Sequence, residues 1–587
     1  MSMSRFTLNM PRRSRRRLLD AARALTCLCV AGSGVASSAT IELRNGESFE
    51  AAVEQLMPGD TLIVHAGTYY DVGRVAITVK GTAALPVLIR AAEGEPRPLI
   101  ARRPGDPVEN TIDIVGATHL TIQGLEITGV PGGDGVNLSG APSYVTLQDL
   151  VVHDVSVGIN FRSSMHHITV QRSEIYDTRD SGEGIYVGCH DGSCVVSESL
   201  IEGNWIHHTR NSEQGDGIEI KKGSHSNIIR DNVIHDTFYP CLTLYGTNGN
   251  PPNIVERNVA WDCDDSAIQV AADTVVRNNI FIPGSGQGIS SQSSNGVVPG
   301  NLQIVNNTVV GGEPCLRLNE WGGRSGMAFV NNAVYCPSDS FVIGSLSGVT
   351  VRGNVFAPAV GGMPSSGYVL GRSLQEDFLN ASARSVYPTG TSPLIGTADS
   401  GLQPSDDFNG RPRLAPGDAG AYEWNGADNP GWTVVPGLKN LATPGAPLPP
   451  QVTLQASPAS VAYEGTTTLA WSSANADSCA ASGDWAGNKA LNGSEATGSL
   501  MINRNYTLTC SNSMGQTAAA TVTVTVGPPP TPTPAPAPEP PPVSKIGGGG
   551  GALDVWSLAL IAGGLLAITA RRRRHTSCNR AVNRTGG

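Results

Sequence analysis

The chain has 587 residues, of which 70 are glycine and 40 proline, with 5% aromatic and 15% charged residues and a formal net charge of -10. That length exceeds one ordinary domain, and the glycine and proline content fits a turn-rich, all-β architecture with appended segments and excludes a helical bundle. The acidic balance excludes nucleic acid as the main partner.

The chain begins with an arginine-rich stretch, a short apolar run and small residues before Thr40. This is the layout of a secretory signal peptide, so residues 1–39 are expected to be removed on export. The arginine run also admits a twin-arginine route beside general secretion.

From residue 40 to 435 the dominant feature is a repeat. Segments such as "ITVQRSEIYDTR", "NIIRDNVIHDTF" and "NIVERNVAWDCD" alternate aliphatic and polar residues as short strands do. An asparagine recurs at one phase, at Asn204, Asn232, Asn258, Asn279, Asn307, Asn332 and Asn354, with spacings of 21 to 28 residues. Repeats of that length predict stacked coils, with the asparagines at one corner hydrogen-bonding along the stack while their backbone takes the bend. His153, His207 and His235 share another phase with Tyr176 and are expected to form a second corner motif.

Two stretches share the frame Gly-acid-Gly-Ile, "GEGIYVG" from residue 182 and "GDGIEIKKG" from residue 215, and only the second adds a charged cluster. Aligning coils on this frame puts Asp134, Val157, Glu183, Asp216, Pro240, Ser266 and Gln287 in one column. A second column holds Asn137, Asn160, Tyr186, Glu219, Thr243, Gln269 and Ser290, and a third Ser139, Arg162, Gly188, Lys221, Tyr245, Ala271 and Gln292. Strand alternation turns the intervening isoleucines inward and Glu219 and Lys221 outward, so a solvent-facing strip of carboxylates, lysine, arginine and tyrosines is expected. Such a strip suits carbohydrate, with charge for its substituents and ring faces for stacking. Lys222 follows an outward residue and is expected to begin the turn. The bland alternative for Asp216, Glu219 and Lys221 is a solvated sheet face carrying a cross-slot ion pair.

The entrance "SFEAAVEQLMPGDTLIVHAGTYYD" (48–71), the repeat, and the end "SPLIGTADSGLQPSDDFNGRPRLAPGDAGAYEW" (392–424) together resemble right-handed parallel β-helix proteins of the pectate-lyase-like superfamily. The resemblance implies an amphipathic capping helix at the entrance, a closing segment at the end, and β-elimination of uronate polymers as the chemistry. That reaction needs a base for the proton beside the carboxylate and a cation for the enolate. The candidate catalytic residues are Lys221, Glu219, Tyr245 and Arg162, with Tyr186 and Thr243 binding substrate and Glu183, Asp216 and Glu219 holding Ca²⁺. Lys221 would act as base only with a pKa well below about 10.4. Departures are present: the Arg-His-Gly that follows the lysine strand in related lyases is replaced by "CLTLYG", with Tyr245 roughly at the arginine position. The paired aspartates of "DCDDSAIQV" lack the further motifs of a hydrolase, and the epimerase signature is absent. The alternative function is a non-catalytic surface β-helix that binds glycan or mediates adhesion.

Residues 436–450 read as a linker, and 451–527 alternate like sandwich strands and resemble an immunoglobulin-like module, with Cys479 and Cys510 placed to staple its two sheets. Residues 528–546 form a stiff, Pro-rich spacer. Residues 547–574 join polyglycine, an apolar run long enough to span a membrane and an arginine block, before a basic tail at 575–587. This resembles a GlyGly-type C-terminal sorting signal, which implies a rhomboid-like protease as partner and an address at or beyond the surface of a Gram-negative-type bacterium. A plain anchor in the inner membrane, facing the periplasm, is the alternative. Either compartment permits disulfides. Cys189 with Cys194 would close a small loop, whereas the pairs Cys241/Cys263 and Cys315/Cys336 share one offset between coils, so both bridge or neither does.

Overall fold

A computed structural model describes residues 38–530 apart from 72, 210, 337–339, 440–449, 475, 477 and 512–516. All but the last two residues of the expected signal peptide, most of the spacer, the sorting or membrane segment and the basic tail lie outside the described residues. Among the described residues no helix is long and apolar enough to cross a membrane. The chain divides into a unit ending at Pro450 and a second one starting at Gln451.

The first unit is a three-sided solenoid of parallel sheets with 14, 11 and 13 strands. Each coil contributes one short strand to each side, as Met165–Gln171, Glu174–Tyr176 and Ile185–Val187 do in one coil. Alternation sends every second residue inward, and parallel register stacks like on like. Val170, Ile201, Ile229, Val255, Val276, Ile304 and Phe329 follow one another through successive coils. All are at most 2% exposed. Burying such a side chain contributes about 1.5–3 kcal/mol, which makes the stack of apolar columns the main stabilising term. The helix Phe49–Glu54 covers the first coils, with Ser48 accepting a hydrogen bond from the Ala51 amide and Phe49, Ala52 and Val53 buried.

The asparagine ladder runs at the corner between the 14- and 13-stranded sheets. The side-chain amide of Asn232 donates to Asn258 Oδ1 at 2.9 Å, Asn258 to Asn279 at 3.0 Å and Asn279 to Asn307 at 2.9 Å. The left-handed backbone falls one residue earlier than expected, on Asp231, Arg257, Asn278, Asn306 and Asn331. With the bend made there, each ladder amide points inward and satisfies both its neighbour and a buried carbonyl. The second corner motif stacks His153, Tyr176, His207, His235 and Trp261 in register.

The closing segment folds back along the ladder corner. Asp406 and Asp418 backbone carbonyls accept from the side chains of Asn278 and Asn306, and Lys439 donates to Asp231 at 3.0 Å. The left-handed corner residues, which cannot point inward, supply these contacts.

Both coil-to-coil pairs are disulfides, with Cα atoms 5.6 Å apart for Cys241–Cys263 and 6.0 Å for Cys315–Cys336, and Cys189–Cys194 closes its loop at 5.1 Å. In the second unit, sheets of three and five strands share one core built on Leu469, Trp471, Leu508 and Val524. Cys479 and Cys510 are bonded, but they stand opposite each other on adjacent antiparallel strands, Cα atoms 4.0 Å apart. The bridge therefore ties neighbours within one sheet and does not staple two sheets as expected.

Candidate functional site

The strand Ile218–Ile220 lies within the 11-stranded sheet, between Ile185–Val187 and Leu242–Leu244. Its frame glycine is imposed by the stacking. A Cβ on Gly184 would stand 2.6 Å from the Gly217 carbonyl oxygen, and one on Gly217 2.5 Å from that of Cys241. "GDGI" and "GEGI" are thus scaffold. The column Asn137, Asn160, Tyr186, Glu219, Thr243, Gln269, Ser290 follows the strand register.

Glu183, Asp216, Glu219, Lys221, Tyr186, Thr243 and Tyr245 are brought together over three coils. The expected open strip is replaced by a buried cluster, in which Glu183, Asp216, Glu219 and Lys221 are 1%, 3%, 2% and 3% exposed. The cause is local cover. The Lys221 ammonium sits 4.5 Å from the Tyr186 ring centre and 5.3 Å from that of Tyr245, and the Cys194 carbonyl and Ser224 close over Gly188 beside it. Lys221 Nζ donates to Glu219 Oε1, which also accepts from the Tyr245 hydroxyl at 3.0 Å. The cross-slot ion pair therefore forms, but buried. Thr243 is buried too and donates to Asp216 at 2.6 Å, so it positions a carboxylate. Lys222 is in the turn, as expected. Arg162 is exposed, its guanidinium 5.8 Å from the far ring it shares with Lys221, that of Tyr186.

Three carboxylates face one ammonium here. One oxygen from each of Glu183, Asp216 and Glu219 lies within 4.8 Å of the others. Burial and then the Glu219 charge hold the Asp216 carboxyl well above the usual range, and burial raises Glu183 despite the hydrogen bond from Ser181. Burial, reinforced by Glu219, pushes both the Tyr186 and the Tyr245 phenols up, so Tyr245 is held as a proton donor. Glu219 Oε2 is buried without a hydrogen-bond partner. Hard oxygens, a charge excess and an orphaned oxygen fit a Ca²⁺ ion, whose remaining ligands would be water or a ligand's oxygens.

Beside the cluster, toward the N-terminal coils, a hollow of about 390 Å³ is lined by Asn110, Asp134, Asn137, Asn160, Arg162 and Tyr186 among others. Asn160 donates to Asp134 at 2.8 Å and leaves its own Oδ1 buried without a partner. A larger hollow, of about 690 Å³, involves Arg90, Arg97 and Asp149 and belongs to the 14-stranded side. On the other flank Phe238 and Tyr239, 42% and 41% exposed, precede Pro240, the residue next to Asp216 in the acidic column. Sequence reasoning did not single out this pair. Its only signal is the run "TFYP", aromatic in a turn where the other coils carry polar residues.

A family model described as a right-handed β-helix region matches residues 107–252. With parallel strands already evident on all three sides, that match settles the hand. The first unit is a right-handed parallel β-helix. A second model, of the periplasmic copper-binding protein NosD, matches residues 184–360 of this β-helix. Pectate lyase PEL9 of Emericella nidulans is 23% identical over 309 residues, which span 45% of the present chain and 67% of that protein. Among solved structures, pectate lyase Pel9A aligns over 67% of the chain and 98% of its own length, at 16% identity and a TM-score of 0.45. An alginate lyase from Paenibacillus sp. str. FPU-7 aligns over 45% and 99%, at 18% identity and a TM-score of 0.36.

Proposed function

We propose that this β-helix is an exported polysaccharide lyase that cleaves a uronate-containing glycan by β-elimination at the Glu183–Tyr245 cluster. The observation that carries the reading is three buried carboxylates crowded around one lysine, with Glu219 Oε2 left orphaned. Such a cluster costs several kcal/mol unless a cation or ligand completes it. The pectate lyase relative supports the choice of chemistry.

In this reading Glu183, Asp216 and Glu219 would hold Ca²⁺, which would supply positive charge against the carboxylate of the sugar. Lys221, as the neutral amine once its ammonium proton has passed to solvent, takes the proton beside that carboxylate. Tyr245, kept protonated, donates to the departing glycosidic oxygen. Arg162 pairs with a uronate carboxylate in the neighbouring hollow, and the exposed rings of Phe238 and Tyr239 stack on sugar faces. The disulfides support an extracytoplasmic address, with residues 1–39 as the export signal and 547–574 as a sorting signal or anchor.

A second reading has its own observation. Lys221 and Glu219 are almost wholly buried and paired through Oε1, which suits a non-catalytic β-helix that binds glycan around a structural ion pair. Product masses separate the two. Incubation with pectate, alginate and glycosaminoglycans should yield oligosaccharides with an unsaturated end, one water lighter than hydrolysis products. Binding to one of these polymers without any cleavage would establish the second reading.

A further inference from the structure

On a different sheet from the carboxylate cluster, the strand Met165–Gln171 carries two consecutive histidines, His166 and His167, directly after Met165. The parallel register sets His166 beside Ser197 of the next coil, and so His167 beside Glu198. Both His167 and Glu198 have left-handed backbone, with φ of 55° and 52°, as does Tyr144 one coil earlier with 56°. Outside glycine, asparagine and aspartate this conformation is costly, and here it recurs on Tyr, His and Glu in consecutive coils. Its effect is to aim the three side chains in one direction from rigid positions about 4.8 Å apart.

The result is a compact set of donors. His166 Nδ1 and His167 Nδ1 are 2.8 Å apart, His167 Nδ1 lies 3.6 Å from Glu198 Oε2, and all three atoms fall within 4.8 Å of one another. The Tyr144 ring stacks on His167 with centres 4.6 Å apart and meets His166 edge-on at 5.6 Å. His119 stacks on the same tyrosine at 4.6 Å, so both imidazoles are oriented by neighbouring rings. The side chains of His167 and Glu198 remain 40% and 57% exposed, which leaves the convergence point open to solvent.

We propose that His166, His167 and Glu198 form a binding site for a borderline divalent transition-metal ion, Zn²⁺ or Cu²⁺, through the two Nδ1 atoms and one carboxylate oxygen. Two imidazoles and a carboxylate are the donor set such ions prefer, and Ca²⁺, which takes oxygen ligands, is poorly served by it. Three protein ligands with an open position match the layout of sites that exchange a water or an external ligand. The match to the copper-binding family model starts at residue 184 and leaves both histidines outside it, so the site rests on geometry alone.

The test is isothermal titration of the full, chelator-stripped protein with ZnCl₂ and with CuCl₂. His167→Asn removes an imidazole but keeps a residue that tolerates the left-handed backbone, and Glu198→Gln removes the carboxylate, so folding is preserved in both. The expected result is a site weakened at least about tenfold by each substitution, unaffected by Glu219→Gln and not displaced by excess Ca²⁺. Absence of binding overturns the proposal, as does binding of equal strength in wild type and both variants, or loss of binding in Glu219→Gln.

Discussion

At Asp216 the chemistry is decided by burial and then by the charge of Glu219. Its folded-state pKa lies above the unfolded value, so protonation stabilises the native cluster; that contribution is present at acidic pH and lost as pH rises through the raised pKa. In chelator the melting temperature should therefore fall as pH is raised from acidic toward neutral and beyond, and Asp216→Asn should flatten the fall. Ca²⁺ should raise the melting temperature of the wild type most at the alkaline end. A calcium response equal at all pH values and in Asp216→Asn would place the ion elsewhere. The columns that bring these residues together were legible, because the coil repeat alone assigns them. Their burial was not. It depends on the Tyr186 and Tyr245 rings folding over Lys221 and on the path of the Cys189–Cys194 loop, neither of which strand periodicity encodes. Phe238 and Tyr239 escaped for the same reason, since they occupy a turn. If they stack on sugars, Phe238→Ala and Tyr239→Ala should each raise KM severalfold with little change in kcat, measured on whichever polymer the wild type is found to cleave.

At the scale of a structural element, the ladder and the histidine corner make opposite demands. Asn258 donates to Ile229 O and Asn279 Oδ1 and accepts from Asn232, so Asn258→Ala strands several buried polar groups at once. A loss of about 2–4 kcal/mol is expected in denaturant unfolding followed by a probe of the β-helix, against roughly 0.5 kcal/mol or less for an exposed substitution such as Glu93→Ala. At the other corner, burial and neighbouring histidines lower His207 to about 3, and burial lowers His235 as well. Here the folded state disfavours the proton, so stability is present above the unfolded histidine value of about 6.5 and lost as pH falls toward 3. His207→Phe, which keeps the ring stack, should lessen that acid sensitivity in thermal melts across the range. Both corners were readable from recurring residue types at one phase. Which residue takes the left-handed bend was not readable, because the asparagine and its predecessor can each adopt it and only the direction of the side chain decides.

Across the whole β-helix, the disulfides and the closing segment act as staples on an otherwise one-dimensional stack. The shared offset of Cys241/Cys263 and Cys315/Cys336 tied the two pairs together and left open whether both bridge; both do. The error at Cys479/Cys510 arose because alternation identifies strands without saying which of them are neighbours. The return of the closing segment along the ladder corner was hidden likewise: its partners, Asn278 and Asn306, read as ordinary corner residues until the polar groups they leave facing outward are seen to bind it. Function at this scale comes to one question, whether the sheet carrying Lys221 eliminates or merely binds. The most direct measurement is the ultraviolet absorbance of unsaturated uronate over time, for wild type and Lys221→Ala, on pectate, alginate and glycosaminoglycans with Ca²⁺ present. The account expects a rise on at least one polymer with wild type and a rate reduced at least about 10²-fold in the variant. No rise on any polymer, or equal rates in the two proteins, would contradict it.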